Sequence, residues 1–181
     1  MLTALAKPTP FKPNLVVRAM PAVKFKQFTK FHAMKKALNL LLDFDIGRHG
    51  PTYLSREDPT FIVKQYKGKA ALKFLPGFVK SYENAVTQMA NEDINGSIEV
   101  VPFLHVGMDF IVKPWITQMY PVNSIEHSGI VRDKYLNLIH LIKTRMANPE
   151  LKETLLRSAN KGTSYFDYKN NKLLFTDLDF A

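Results

Sequence analysis

The chain has 181 residues, 46% of them hydrophobic and 12% aromatic, the composition of a folded protein with one sizeable core or two small lobes and not of a disordered chain. It has no cysteine, which excludes disulfides, a thiol nucleophile and Cys-ligated zinc or iron-sulfur sites, and suits a reducing cytoplasm. The formal charge of +9 is lopsided: residues 1–80 carry 15 Lys and Arg against 4 Asp and Glu, whereas residues 81–181 carry 10 against 12, so an anionic partner is expected for the first half.

Pro8, Pro10, Pro13 and Pro21 remove backbone donors and fix φ, so the N-terminal stretch is expected to be an extended arm. A lysine and prolines stand where a signal peptide needs its apolar core, and no apolar run reaches the roughly 18 residues of a membrane span, so neither secretion nor a membrane is expected. Over 24–42, Phe25, Phe28, Phe31, Met34, Leu38 and Leu41 recur at helical steps. Lys24, Lys26, Lys30, Lys35 and Lys36 fall mostly on other faces, which predicts a basic amphipathic helix. That helix either presents a basic partner surface or packs its phenylalanine stripe on the domain that follows.

"DFDIGRHGPTYLSREDPTFIVKQYKGK" reads as three strands, with Gly47, Gly50 and Pro51 punctuating the first turn and "REDP" the second. "GFVKSYENAVTQMANED" sets Phe78, Tyr82, Ala85, Val86 and Met89 at helical spacing. "SIEVVPFLHVG" and "MDFIVKPWI" are two further strand-like runs about a turn at Gly107. A long helix follows in "SGIVRDKYLNLIHLIKTRMANPE", then a short one opening at Pro149. Two apolar runs flank "YKNNK", whose Asn170 and Asn171 tolerate positive φ, so the chain closes on a hairpin. The five histidines show no i, i+4 pairing, so no zinc site is expected.

This order, together with "FIVKQY" and "LLFTDLD", resembles the protein-kinase fold, and the small kinases of bacteriophages most nearly, over roughly 43–179. The resemblance implies an α+β protein in three parts. A proline-rich arm and basic helix (1–42) would precede a five-stranded antiparallel N-lobe with one helix (43–113) and a truncated, mostly helical C-lobe ending in a β-hairpin (114–181). It also implies site residues. Gly47 and Gly50 would cover ATP phosphates, although G-x-x-G-P departs from the family's G-x-G-x-x-G. Lys64 would contact the phosphates and pair with Glu83, nineteen residues on, while Phe110, Val112 and Trp115 would wall the adenine.

"LRSANKGT" stands where the family's catalytic loop would, with Arg157 on its Arg, Ser158 on the catalytic Asp and Thr163 on the Asn. Serine cannot act as the carboxylate base, and no Asp or Glu lies between Glu153 and Asp167. Asp177 would be the Mg²⁺ ligand and Asp179 the alternative; the four residues after Asp177 are expected to leave no room for substrate-docking elements.

The resemblance therefore implies a catalytically deficient, pseudokinase-like protein of phage origin, with ATP and Mg²⁺ as implied ligands, acting by binding and modulating or inhibiting a host protein in the host cytoplasm. Two alternatives stand beside it. One is a nucleic-acid-binding protein using the lysine helix with Phe25, Phe28 and Phe31 as its contact surface. The other is a fragment of an active serine/threonine kinase.

Overall fold

The computed structural model describes residues 23–44, 49–58, 60–116, 120–121, 129–159 and 164–180. They divide into two units, one taking the stretch up to Val86 together with Val101–Trp115, the other Thr87–Val100 together with Ile116–Ala181.

Where hydrophobic spacing predicts one helix over 24–42, the first unit has two short helices, α1 (Val23–Lys26) and α2 (Phe31–Ala37), and then strand β1 (Leu40–Phe44). Asn39 is the reason the helix stops: its φ of 47° is the left-handed conformation that ends helices and that asparagine tolerates. β1 pairs with β2 (Thr52–Ser55), β2 with β3 (Phe61–Gln65), β3 with β6 (Phe110–Pro114), and β6 with β5 (His105–Val106). All four pairings are antiparallel, so the predicted five-stranded antiparallel sheet is present.

One face of this sheet is covered by α1 and α2. Phe25, Phe28, Phe31 and Met34 are buried in a single core with Leu40, Tyr53, Phe61, Val63, Phe110 and Val112. Phe25 meets Phe61 edge-on with centroids 4.9 Å apart, and Phe31 lies 4.6 Å from Tyr53. Polar contacts with the β5–β6 turn pin the two short helices. The Phe31 N–H donates to Asp109 Oδ1 at 2.8 Å, supplying the cap that Lys30 lacks, and the Met108 N–H donates to the Thr29 carbonyl at 2.8 Å. The stripe is thus interior, and residues 23–42 belong to the sheet domain instead of preceding it.

Helix α3 (Lys69–Ala90) begins well before the predicted 77–93, running through Pro76 because Ala71 and Leu75 are buried and hold its first turns.

The second unit holds β4 (Ile98–Val100), β7 (Tyr120–Pro121), α4 (Gly129–Arg145), α5 (Pro149–Ser158), β8 (Ser164–Asp167) and β9 (Lys172–Phe175). The run "SIEVVPFLHVG" is therefore not one strand: its first half pairs parallel with β9, and its second half joins the other sheet as β5. The terminal hairpin forms as expected, with Asn171 at φ 51° and the buried Asp167 carboxylate accepting from the Asn170 N–H at 3.0 Å. It sits in a four-stranded sheet of order β4-β9-β8-β7. Asn148 caps α5, accepting from the Leu151 N–H at 3.0 Å, with Pro149 in its first turn. No described helix is long and apolar enough to cross a membrane.

Glu92, buried, anchors the α4–α5 connection by accepting from the Ala147 and Asn148 N–H groups at 2.8 and 2.9 Å. Glu92→Ala leaves both donors without that acceptor and is expected to cost about 2 kcal/mol or more in a urea melt, with Glu92→Gln losing less. Burial also pushes the Tyr135 phenol up to about 12, while an unfolded tyrosine ionises near 10. The folded state then keeps its proton longest, so this contribution is whole below about pH 10 and is lost as pH rises toward 12. Alkaline unfolding of Tyr135→Phe should be correspondingly less steep over that window.

Candidate functional site

β3 is the central strand of the first unit's sheet, and strand alternation sends Phe61 and Val63 toward α1–α2 and Ile62 and Lys64 to the opposite face. Lys64 pairs with Thr52 on β2 and Ile111 on β6. It is half-buried, and its ammonium lies 5.7 Å from the centroid of the Tyr66 ring.

Helix α3 meets this face through a ladder of rings. His49 stacks on Phe74 at 4.3 Å, Phe74 on Phe78 at 5.4 Å, and Tyr82 on Phe103 at 4.1 Å. The Tyr82 hydroxyl donates to the Val101 carbonyl at 2.7 Å, which holds the ladder to the strand side. Glu83, the next residue of α3, is exposed. Lys64 and Glu83 therefore belong to one unit, on the sheet and on the helix that packs over it.

Pairing register adds a residue that spacing alone does not single out. Lys113 stands opposite Ile62 on β6, so it shares a face with Lys64 and is its diagonal neighbour across the pair, about 7–8 Å away along the backbone. It is only 5% exposed, and its ammonium lies 5.5 Å from the Phe103 ring centroid. In "FIVKP" every residue is buried, so no alternation marks the lysine; only the partner strand does.

Gly50, Phe110 and Val112, to which the kinase resemblance assigns nucleotide contacts, are instead committed to the fold. Gly50 has a φ of 138°, and a Cβ on it would lie 2.2 Å from the Gln65 carbonyl oxygen. The Gln65 N–H donates to the Pro51 carbonyl at 3.0 Å and the Lys67 N–H to that of His49 at 3.1 Å, so glycine is needed where β2 is drawn against β3. Gly47 lies outside the described residues. Phe110 and Val112 are fully buried in the core on the α1–α2 side, so they are not an exposed adenine wall. Trp115 is half-buried, its N–H donating to the Thr60 carbonyl at 2.9 Å.

In the second unit, Ser158 ends α5 and is 1% exposed. Its hydroxyl donates to the Thr154 carbonyl at 2.7 Å and accepts from the Asp179 N–H at 2.9 Å, while its own carbonyl accepts from the Ser164 hydroxyl at 2.7 Å. Arg157 assists, donating from Nε to the Asp179 carbonyl at 3.3 Å and pairing with Glu153 at 3.0 Å. Ser158, which the kinase resemblance sets on the catalytic Asp, is thus a clamp that ties the segment after β9 to α5. Thr163 lies outside the described residues.

Asp177 and Asp179 are half-buried on that segment, and Asp177 Oδ1 accepts from the Leu178 N–H at 3.0 Å. Among the described residues no group of three or more His, Asp or Glu side chains is placed to hold a metal ion. Two carboxylates suit Mg²⁺ only in the manner in which phosphates and water complete its oxygen shell.

The lysines of the basic N-terminal segment are exposed at Lys26, Lys30, Lys35 and Lys36, with the Lys35 ammonium 5.0 Å from the Tyr53 ring; the side chain of Lys24 lies outside the described residues. Phe25, Phe28 and Phe31 are buried beneath them and offer no ring to a nucleobase.

No protein-family model matches the chain, and no curated protein matches it in sequence. Among solved structures, the ternary complex of streptomycin, ATP and APH(2'')-IIa, an aminoglycoside phosphotransferase of protein-kinase-like fold, matches at 14% identity over 81% of this chain and 68% of that one, with a TM-score of 0.39. At that identity and score no residue role passes from it to this chain.

Ser158→Ala removes one acceptor and one donor from a buried cluster and is expected to cost about 1–3 kcal/mol, with faster hydrogen exchange at the Asp179 amide. Ser158→Asp, which introduces the carboxylate that the kinase resemblance expects there, should be the more damaging change, because an acid is forced into a site that is 1% exposed. A melting temperature at or above wild type for Ser158→Asp would contradict this assignment.

Proposed function

We propose that the chain is a kinase-like protein that binds nucleotide without transferring phosphate and acts by engaging, and inhibiting, a partner protein in a host cell. The observation that carries this reading is the state of Ser158. In the alignment it takes the place of the general base, yet its hydroxyl is buried and committed to Thr154 and Asp179, so nothing at that position can accept a proton from a substrate hydroxyl.

Phosphate binding is supported from the other unit. Lys64 stands on the third of five antiparallel strands, with the helix carrying Glu83 next in the chain, the order that the kinase resemblance leads one to expect. Asp177 is the residue through which a bound Mg²⁺ would be held, with Asp179 as its alternative; the ion would neutralise phosphate charge. Gly50 is left out of this reading, since sheet pairing accounts for it.

The alternative of an active kinase seen as a fragment is disfavoured by the same serine, because extending the chain elsewhere would not place a carboxylate at residue 158. A ligand that binds only the native state stabilises it by roughly 2.7 kcal/mol at a hundred times its dissociation constant. Millimolar ATP with Mg²⁺ should therefore raise the melting temperature of the wild type by several degrees and that of Lys64→Ala far less, with no turnover of ATP to phosphoprotein by either. An unmoved wild type would remove the nucleotide from the reading.

A further inference from the structure

The basic residues concentrate in one structural unit. Residues 23–86 and 101–115 carry 13 Lys and Arg against 6 Asp and Glu, while residues 87–100 and 116–181 carry 9 against 10. Within the basic unit, residues 59–82 contain five lysines and no acid. Two of those lysines are exposed in the first half of α3, at Lys69 and Lys73, and a third, Lys80, lies further along it.

Helical geometry, at about 100° per residue, places Lys69, Lys73 and Lys80 within about 40° of one another around the axis, in a row about 16 Å long. Exposed Pro76 and Gly77 lie between the second and third, and Glu83, a turn beyond Lys80, ends the row. None of the three side chains makes a hydrogen bond, ion pair or ring contact with a described residue. Lys69 and Lys73, four residues apart with no acid three or four residues from either, forgo the pairing that would stabilise the helix, and only Lys80 has an acid, Glu83, within one turn.

We infer that this row on α3 is a binding surface for the phosphate backbone of duplex DNA. Three classes of anionic partner compete for a lysine row, and the surroundings separate them. A membrane surface needs a free apolar helix face, but the apolar face of α3, with Ala71, Leu75, Phe78 and Tyr82, is buried, and the two large exposed apolar side chains, Leu72 and Phe74, lie about 160° apart around the axis at about 100° per residue. Protein interfaces favour arginine and are depleted in lysine, and here the row is all lysine; the nearby Phe74, 41% exposed, has His49 stacked on it at 4.3 Å and Phe78 at 5.4 Å. Single-stranded nucleic acid needs a series of free rings for successive bases, whereas Phe74 is the one ring beside the row and already stacks on His49 and Phe78. A duplex read through its phosphates requires only the cations. The outward side of a helix fits the B-form major groove, about 12 Å wide, whereas the A-form groove of RNA is too deep and narrow to admit it.

This surface lies on the opposite side of the sheet from the α1–α2 lysines, so the two are separable by mutation. The test is fluorescence anisotropy of a labelled 20-base-pair DNA duplex titrated with the full chain from 50 to 200 mM salt. Each lysine–phosphate contact contributes about 0.9 to the slope of log affinity against log salt, so the wild-type slope should be about −2.7 or steeper. Each of Lys69→Gln, Lys73→Gln and Lys80→Gln should reduce it by about 1, and the triple variant should bind at least tenfold more weakly at 50 mM salt, with an unchanged far-ultraviolet melting curve. Lys26→Gln, Lys30→Gln and Lys36→Gln together should leave most of the affinity in place. The inference fails if the wild type does not bind the duplex at low salt, or if the α1–α2 triple variant loses binding while the α3 variant keeps it. It fails equally if duplex RNA binds more tightly than DNA, or if polyglutamate competes as well as DNA at equal charge, the mark of an acidic protein partner.

Discussion

The burial of Phe25, Phe28, Phe31 and Met34 against the sheet is the interaction on which the first unit rests. Each such side chain removed from water contributes about 1.5–3 kcal/mol, so the four together supply stabilisation comparable to the whole net stability of a small domain. Two consequences follow. The lysines between the phenylalanines are forced outward, because a short helix that buries one face must expose the other. And the sheet gains an apolar cover on one side, which leaves its other side, with Lys64 and Lys113, to be closed by α3 and its aromatic ladder.

That arrangement also bears on how far local pattern can be read. Strands β2 and β3 and the terminal hairpin are legible because their punctuation is local: Pro51, the "REDP" turn, and Asn170–Asn171 with Asp167 beneath them. The start of α5 is legible for the same reason, since Asn148 and Pro149 act within one turn. The spacing over 24–42 misleads because Leu38 and Leu41 continue the helical pattern past Asn39, whose backbone conformation breaks the helix and leads the chain into a strand. The split of "SIEVVPFLHVG" lies beyond local reading altogether. Ile98 finds its partner at Leu173, and no pattern within a strand announces a parallel neighbour so distant in sequence.

The candidate site divides along the same line. Lys64 can be picked from "FIVKQY" because β-branched and aromatic neighbours fix the strand and hence the face. Lys113 and the role of Ser158 are tertiary facts. The first depends on which residue of β3 stands opposite it, the second on a hydrogen bond spanning 21 residues of sequence. The α3 lysine row is hidden for a different reason: the predicted helix begins at Gly77, so Lys69 and Lys73 fall outside it and have no common face.

Ser158 meets demands opposite to those of a general base. A carboxylate acting on a substrate hydroxyl must be reachable and must have an open lone pair, whereas a residue that holds a chain segment must be buried and saturated. One side chain cannot satisfy both demands. In this chain Ser158 meets the second set: its hydroxyl donates and accepts within the unit, and the Asp179 amide that it receives belongs to the segment carrying the candidate metal ligands. Tying that segment to α5 holds the backbone beside Asp177 in place. The two hydrogen bonds of the Ser158 hydroxyl, one to the Thr154 carbonyl and one from the Asp179 amide, fix the chain after β9 against the end of α5.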